Sequence, residues 1–122
     1  MSKNQEFTKR ASNFAISIIR FTKTLPKSRE YWIISDQIIR SSCSIGANMT
    51  EASSASSKKD YINFYTHALK SANESKFWIS LLIDSGRASK TLAEPLLTET
   101  TEISKILGAS VITMKNITRF EI

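Results

Sequence analysis

The chain has little of what builds a disulfide scaffold, a turn-rich sheet or a metal centre. Among its 122 residues are one cysteine, one histidine, three glycines and two prolines. A lone cysteine, Cys43, excludes an internal disulfide and suits a reducing compartment. So few glycines and prolines cannot supply the turns of an all-β fold or the composition of a disordered tail. His67 and Cys43 are too few to make a structural zinc site. No Glu-x-x-His motif is present for a di-metal site in a helical bundle, and no glycine-rich phosphate loop occurs. No stretch approaches the roughly 18 apolar residues of a membrane span. The opening MSKNQEFTKR is polar, without an apolar stretch of secretory length, so a cytoplasmic protein is expected.

What remains is an ordinary globular composition, 41% hydrophobic and 23% charged. The length fits one domain over residues 1–122. Four segments carry helical periodicity. In the first, about Gln5 to Thr24, the residues Phe7, Ala11, Phe14, Ile18, Thr22 and Leu25 share a face. Leu25-Pro26 ends it, because the residue before proline is pushed out of the α region. The second begins at Ser28, a candidate N-cap, and runs to Ala52, with Ile34, Ile38, Ser42, Ile45 and Met49 as its stripe. A serine-rich loop follows. Ser57 to Asp60 then reads as a variant capping box opening the third helix, which presents Tyr61, Phe64, Tyr65, Ala68, Ala72, Ser75, Ile79 and Leu82 on one side. Gly86 closes it in the left-handed conformation. The fourth starts between Thr91 and Glu94, with Leu92, Leu96, Ile103, Leu107, Ser110, Met114 and Ile117 on its stripe. Short connections between long helices predict an all-α, antiparallel up-down-up-down four-helix bundle.

Each helix has apolar residues beyond its stripe. Trp32, Ile39, Cys43 and Gly46 form a second line on helix two, roughly 110° from Ile38 at about 100° per residue. Phe77 lies nearly opposite Ala68, flanked by Leu69 and Trp78, and Ile112 lies opposite Ile103. A bundle monomer leaves these residues exposed. An oligomer interface through Trp32, Ile39, Cys43, Phe77 and Trp78 accounts for them; scattered surface hydrophobes are the alternative.

The net charge of +6 is unevenly placed. Residues 1–29 hold Lys3, Lys9, Arg10, Arg20, Lys23, Lys27 and Arg29 against Glu6 alone, and the rest of the chain is balanced. Lys9, Arg20, Lys23 and Lys27 fall within about 60° of one another on a helix extended through them. Such a line can follow an RNA or DNA backbone by displacing counterions. No aromatic alternates with it to stack bases, so the binding would tolerate sequence. The alternative is a solvated face that keeps the protein soluble.

A polar line on helix two includes Arg40, Asn48 and Glu51. Arg40 and Glu51 are too far apart to pair within one helix, so each needs a partner elsewhere, such as Glu74 or Lys70. A layer fixing helix register and a ligand site are both open readings. Catalysis has little support. Cys43 reads as a small buried hydrophobe, and Glu99 and Glu102 read as solvated face. No cofactor, metal or enzymatic activity is expected.

The arrangement Gln37, Arg40, Ser41, Ser44, Ile45, Asn48, Glu51, Ala52 resembles the 23S ribosomal RNA intervening-sequence protein family. Lys59-Asp60-Tyr61, Ala68, Glu74 and the stretch from Trp78 to Leu82 add to the likeness, which spans about residues 5–118. It departs at Gly46, where many members have proline, and at Thr50, where alanine is usual; both leave helix two interruptible. The resemblance implies a cytoplasmic four-helix bundle assembled as a ring-like homopentamer, without established enzymatic activity. Some members are encoded inside insertions in 23S rRNA genes. The related accessory proteins of diversity-generating retroelements share the architecture and look like basic pentamers that bind nucleic acid and a protein partner, a reverse transcriptase.

Overall fold

The computed structural model describes residues 1–121, and the side chains of residues 1–117. Four helices account for nearly all of it: α1 (Lys3–Thr22), α2 (Arg29–Ala52), α3 (Lys58–Asp84) and α4 (Lys90–Glu121). The ends follow local chemistry. Ser2 and Gln5 form a reciprocal capping box at the start of α1, two residues earlier than periodicity alone placed it. The hydroxyl of Ser57 accepts from the Asp60 N–H at 3.0 Å. The Asp60 carboxylate turns back to the N–H and hydroxyl of Ser56, so the variant box is shifted by one residue. Ser28 has the extended backbone of an N-cap, yet its hydroxyl makes no capping bond. Gly86 closes α3 at φ +78°, a conformation that costs other residues about 1 kcal/mol or more. Helix α2 passes through Gly46 and Thr50 without interruption.

Helices α2 and α3 are antiparallel. Tyr31 meets Ser85 at 3.1 Å, and Ser41 meets Ser75 at 2.8 Å, so positions rise on one helix as they fall on the other. Each helix packs mainly on its neighbours in the chain, and α1 and α4 touch least. This is the expected up-down-up-down bundle. Its centre holds Ile18, Ile38, Ile45, Met49, Ile79 and Leu107, all fully buried. Small residues line the α2–α3 seam: Ser41, Ser42, Ser75, Ala68 and Ala72 are buried. They let the backbones approach, and the Ser41–Ser75 bond satisfies both hydroxyls.

Helix α4 departs from its expected stripe. The buried line is Ala93, Leu96, Thr100, Ile103, Leu107 and Val111. Leu92 and Ile117 are 47% and 45% exposed. Leu92 lines the opening between α1 and α4 beside Phe21 and Pro95, where those two helices stand apart. At a rise of about 1.5 Å per residue, the 32 residues of α4 outrun the 20 of α1 by about 18 Å, so a core-line residue near its end has less to pack against. Pro95 lies inside this helix, near its start.

Thr100 is fully buried and its hydroxyl has no hydrogen-bond partner. Leaving a buried hydroxyl unsatisfied costs about 1–3 kcal/mol. Thr100→Val keeps the shape and removes the polar atom. It is expected to stabilise the fold by about 1 kcal/mol and raise Tm by roughly 4 °C. Thermal unfolding followed by circular dichroism checks this; a lower Tm would mean that the hydroxyl is satisfied in solution.

Candidate functional site

The basic residues of α1 divide into two groups. Arg10 faces α4 and holds the Glu99 carboxylate with two bonds, Nε to Oε2 at 2.9 Å and Nη2 to Oε1 at 2.7 Å. Glu99 is therefore half-buried and paired, a correction to its reading as solvated face. The Arg10 hydrogen bonds hold the Glu99 carboxyl below its usual range, outweighing desolvation. The pair accordingly contributes above the ordinary carboxylate pKa and is lost as pH falls through the lowered value. With Arg10 37% exposed, the contribution is at most about 1 kcal/mol.

Lys9, Arg20, Lys23 and Lys27 are exposed and make no ion pair among the described residues. The line is shorter than expected. Helix α1 ends at Thr22, Lys23 is its C-cap, and Lys27 lies beyond Pro26 in the connection to α2. Only Lys9 and Arg20 stand on the helix proper, and Ile16, between them along the helix, lies within about 40° of both at about 100° per residue. Ile16 is 46% exposed. The basic residues thus border an apolar surface.

That surface is the groove between α1 and α2, a cavity of about 330 Å³ lined by Ala15, Ile16, Ile19, Cys43, Gly46 and Ala47. The Gly46 Cα lies on Ala11 and Ser12, whose atoms would sit 3.6–3.9 Å from an added Cβ. The helices therefore meet closely there, and Cys43 is exposed at the groove, correcting its reading as a buried hydrophobe. Trp32 and Ile39 continue the line toward the start of α2; Trp32 is 61% exposed and Ile39 half-buried. Sequence reasoning missed the contribution of α1. Ile16 and Ile19 lie roughly 160° and 100° from Ile18, so the same angular reading applied to α1 would have found them.

A second apolar surface lies on the other flank of α2. Phe77, Leu81 and Ile33 are exposed; the pairing of Tyr31 with Ser85 and of Arg40 with Glu74 sets Ile33 near the level of Leu81. Trp78 is half-buried and meets the edge of Phe77 with centroids 5.0 Å apart. Arg40 bridges from α2 to the Glu74 carboxylate of α3 and also donates to Gln37 Oε1 at 2.8 Å. Trp78 Nε1 donates to the same Glu74 oxygen at 3.1 Å. Beneath this network lies the Ser41–Ser75 bond. Arg40 and Glu74 thus belong to one polar layer with Gln37 and Trp78. Asn48 does not join it: its amide donates to the Ser44 carbonyl of its own helix at 2.8 Å. Glu51 is exposed near the far end of α2.

No helix among the described residues is long and apolar enough to cross a membrane. No curated protein matches the chain. A protein of unknown function from Bacteroides thetaiotaomicron, of the S23 ribosomal protein family, has a similar crystal structure: TM-score 0.81, 35% identity, covering 90% of this chain and 98% of that one. The family model of the 23S rRNA-intervening sequence protein matches residues 3–109. Together with the four-helix architecture and the Gln37–Arg40–Glu74–Trp78 layer built from residues that carried the likeness, this match places the chain in the 23S rRNA-intervening sequence protein family.

Proposed function

We propose that the protein is a non-enzymatic, oligomeric binding module that associates with nucleic acid or a ribonucleoprotein through the basic residues of α1 and its exit. The observation that carries this reading is charge without compensation. Lys9, Arg20, Lys23 and Lys27 are exposed and unpaired among the described residues, and Arg10 is the α1 cation neutralised by a carboxylate. Cations in this arrangement gain by replacing counterions on a phosphate backbone.

The exposed apolar surfaces support the same reading by providing for self-association. The α1–α2 groove and the Phe77 surface lie on different flanks of the bundle. Two unlike apolar faces suit a head-to-tail contact, which closes into a ring when the rotation permits. The family resemblance points to five subunits. A ring repeats the basic cluster once per subunit, so contacts that are weak singly act together on one strand.

The test is binding of RNA and DNA oligonucleotides by fluorescence anisotropy across a salt series. Affinity is expected to fall steeply with salt. Replacing Lys9, Arg20, Lys23 and Lys27 with glutamine is expected to make the log–log salt slope shallower, by about 0.9 for each duplex phosphate that is no longer neutralised. Binding that survives the quadruple change would remove α1 as the interface.

A second reading has its own observation. Ile16 divides the basic line, and the Phe77–Trp78 surface carries a preorganised Arg–Glu–Trp network of the kind that anchors protein interfaces. On that reading the module is a protein scaffold and the basic residues confer solubility. Partner binding insensitive to salt and to the quadruple change would favour it.

A further inference from the structure

At the end of the bundle where α1 and α3 begin, a cleft opens beside α4. It consists of two adjoining cavities of about 340 and 490 Å³, which share Tyr61, Tyr65, Ile106 and Ser110. Lys3, Asn4 and Phe7 of α1 complete the smaller, and Met114 of α4 lines the larger. The family match ends at residue 109. Ser110 and Met114 lie on α4 beyond the matched residues, while Tyr61, Tyr65 and Ile106 lie within them.

The polar groups of the cleft are organised before any ligand arrives. The Tyr65 hydroxyl accepts from Asn4 Nδ2 at 2.8 Å and from the Tyr61 hydroxyl at 3.2 Å. Its two acceptor directions are then occupied, and its own proton has no acceptor among the described bonds. Tyr61 is pushed up to about 12, first by burial and then by its bond to Tyr65, so it remains a protonated donor at neutral pH. The two rings stack on one another at 4.9 Å. Tyr65 itself is 7% exposed, held by packing in its position. Lys3 is the one cation among the described residues that line this cleft.

We propose that this cleft binds a small amphiphilic carboxylate, with its apolar chain on Phe7, Ile106 and Met114 and its carboxylate held by Lys3, the Tyr65 hydroxyl and Ser110. The donor set selects the charge. Among the described lining residues Lys3 is the one cation and none is acidic, so a monoanion is matched in charge, whereas a phosphate dianion would keep a charge desolvated without a counter-charge. The apolar floor selects the tail, since few polar groups orient a ligand whose binding comes mainly from buried hydrocarbon. Nothing in this site depends on nucleic-acid binding or on assembly.

The test is an NMR titration of the full chain with decanoate and, separately, with 1-decanol, both below the concentration at which they aggregate. Decanoate is expected to shift the amides of residues 3–7 and 106–114 saturably. Affinity should fall about tenfold in Tyr65→Phe and in Lys3→Gln, and 1-decanol should bind at least about tenfold more weakly, the effect of losing one charge-assisted bond. Lys3 is exposed and Tyr65→Phe keeps the ring, so both variants retain the fold's packing. Absence of saturable shifts, equal binding of 1-decanol, or shifts confined to the α1–α2 groove would each overturn the proposal.

Discussion

With Ile16 and Trp32 both replaced by glutamate, the protein is expected to run as a 13.7 kDa monomer by light scattering while keeping its helical circular dichroism. The two side chains are 46% and 61% exposed in the isolated chain, so the fold owes them little; substitutions at such positions usually change stability by about 0.5 kcal/mol or less. In an assembly they would be covered. Each replacement would then forfeit about 1.5–3 kcal/mol of apolar burial and place an unpaired carboxylate in the interface, which costs several kcal/mol more unless it is neutralised. A loss of about 4 kcal/mol weakens association roughly a thousandfold. The unsubstituted chain should be larger than a monomer under the same conditions. If it already runs as a monomer, the apolar surfaces have another partner and the ring reading falls.

Replacing Ile45 with alanine is the contrasting experiment, directed at the fold. Ile45 has no exposed surface and lies on the buried line of α2 with Ile38 and Met49. Truncation removes hydrocarbon and leaves a cavity that the surrounding helices close only in part, at about 2–5 kcal/mol. Against a total stability of about 5–15 kcal/mol for a domain of this kind, that is a large loss. Urea unfolding at fixed protein concentration measures it, since stability and association are linked. A loss under about 1 kcal/mol would mean that the bundle can collapse onto the site, which the close α2–α3 seam argues against.

Different residues were legible for different reasons. The stripes of α1, α2 and α3 were read correctly because a helix buried on one side repeats its apolar residues every three or four positions; Ile18, Ile38, Met49, Ala68 and Ile79 all lie where that period puts them. The exposure of Trp32, Phe77 and Ile112 was legible for the complementary reason, being well away from those lines, whereas Ile39, Leu69 and Trp78, also expected to be exposed, are half-buried against the core. On α4 the period was right, but the buried line is turned by about 45° from the expected one, which leaves Leu92 and Ile117 toward its exposed edge. One stands at the opening toward α1 and the other near the end of a helix longer than its neighbours. The reach of Arg40 to Glu74 was available from the need of a cation on α2 for a partner on another helix. The pairing of Arg10 with Glu99 was not, since the residues are 89 positions apart and neither has a local pattern that names the other.

The sequence by itself determined the helices, most of their buried faces, the family likeness and the concentration of positive charge in the first 29 residues. These are local properties: periodicity, capping and composition act over a few turns and need no knowledge of what lies across the bundle. Only the tertiary structure decided which charges are spent on ion pairs, that Lys27 leaves the helical line, that Ile16 and Ile19 join α2 in one groove, and that Asn4, Tyr61 and Tyr65 meet at one end. Those outcomes depend on the separation and relative length of helices distant in the chain, which packing sets and no single helix encodes.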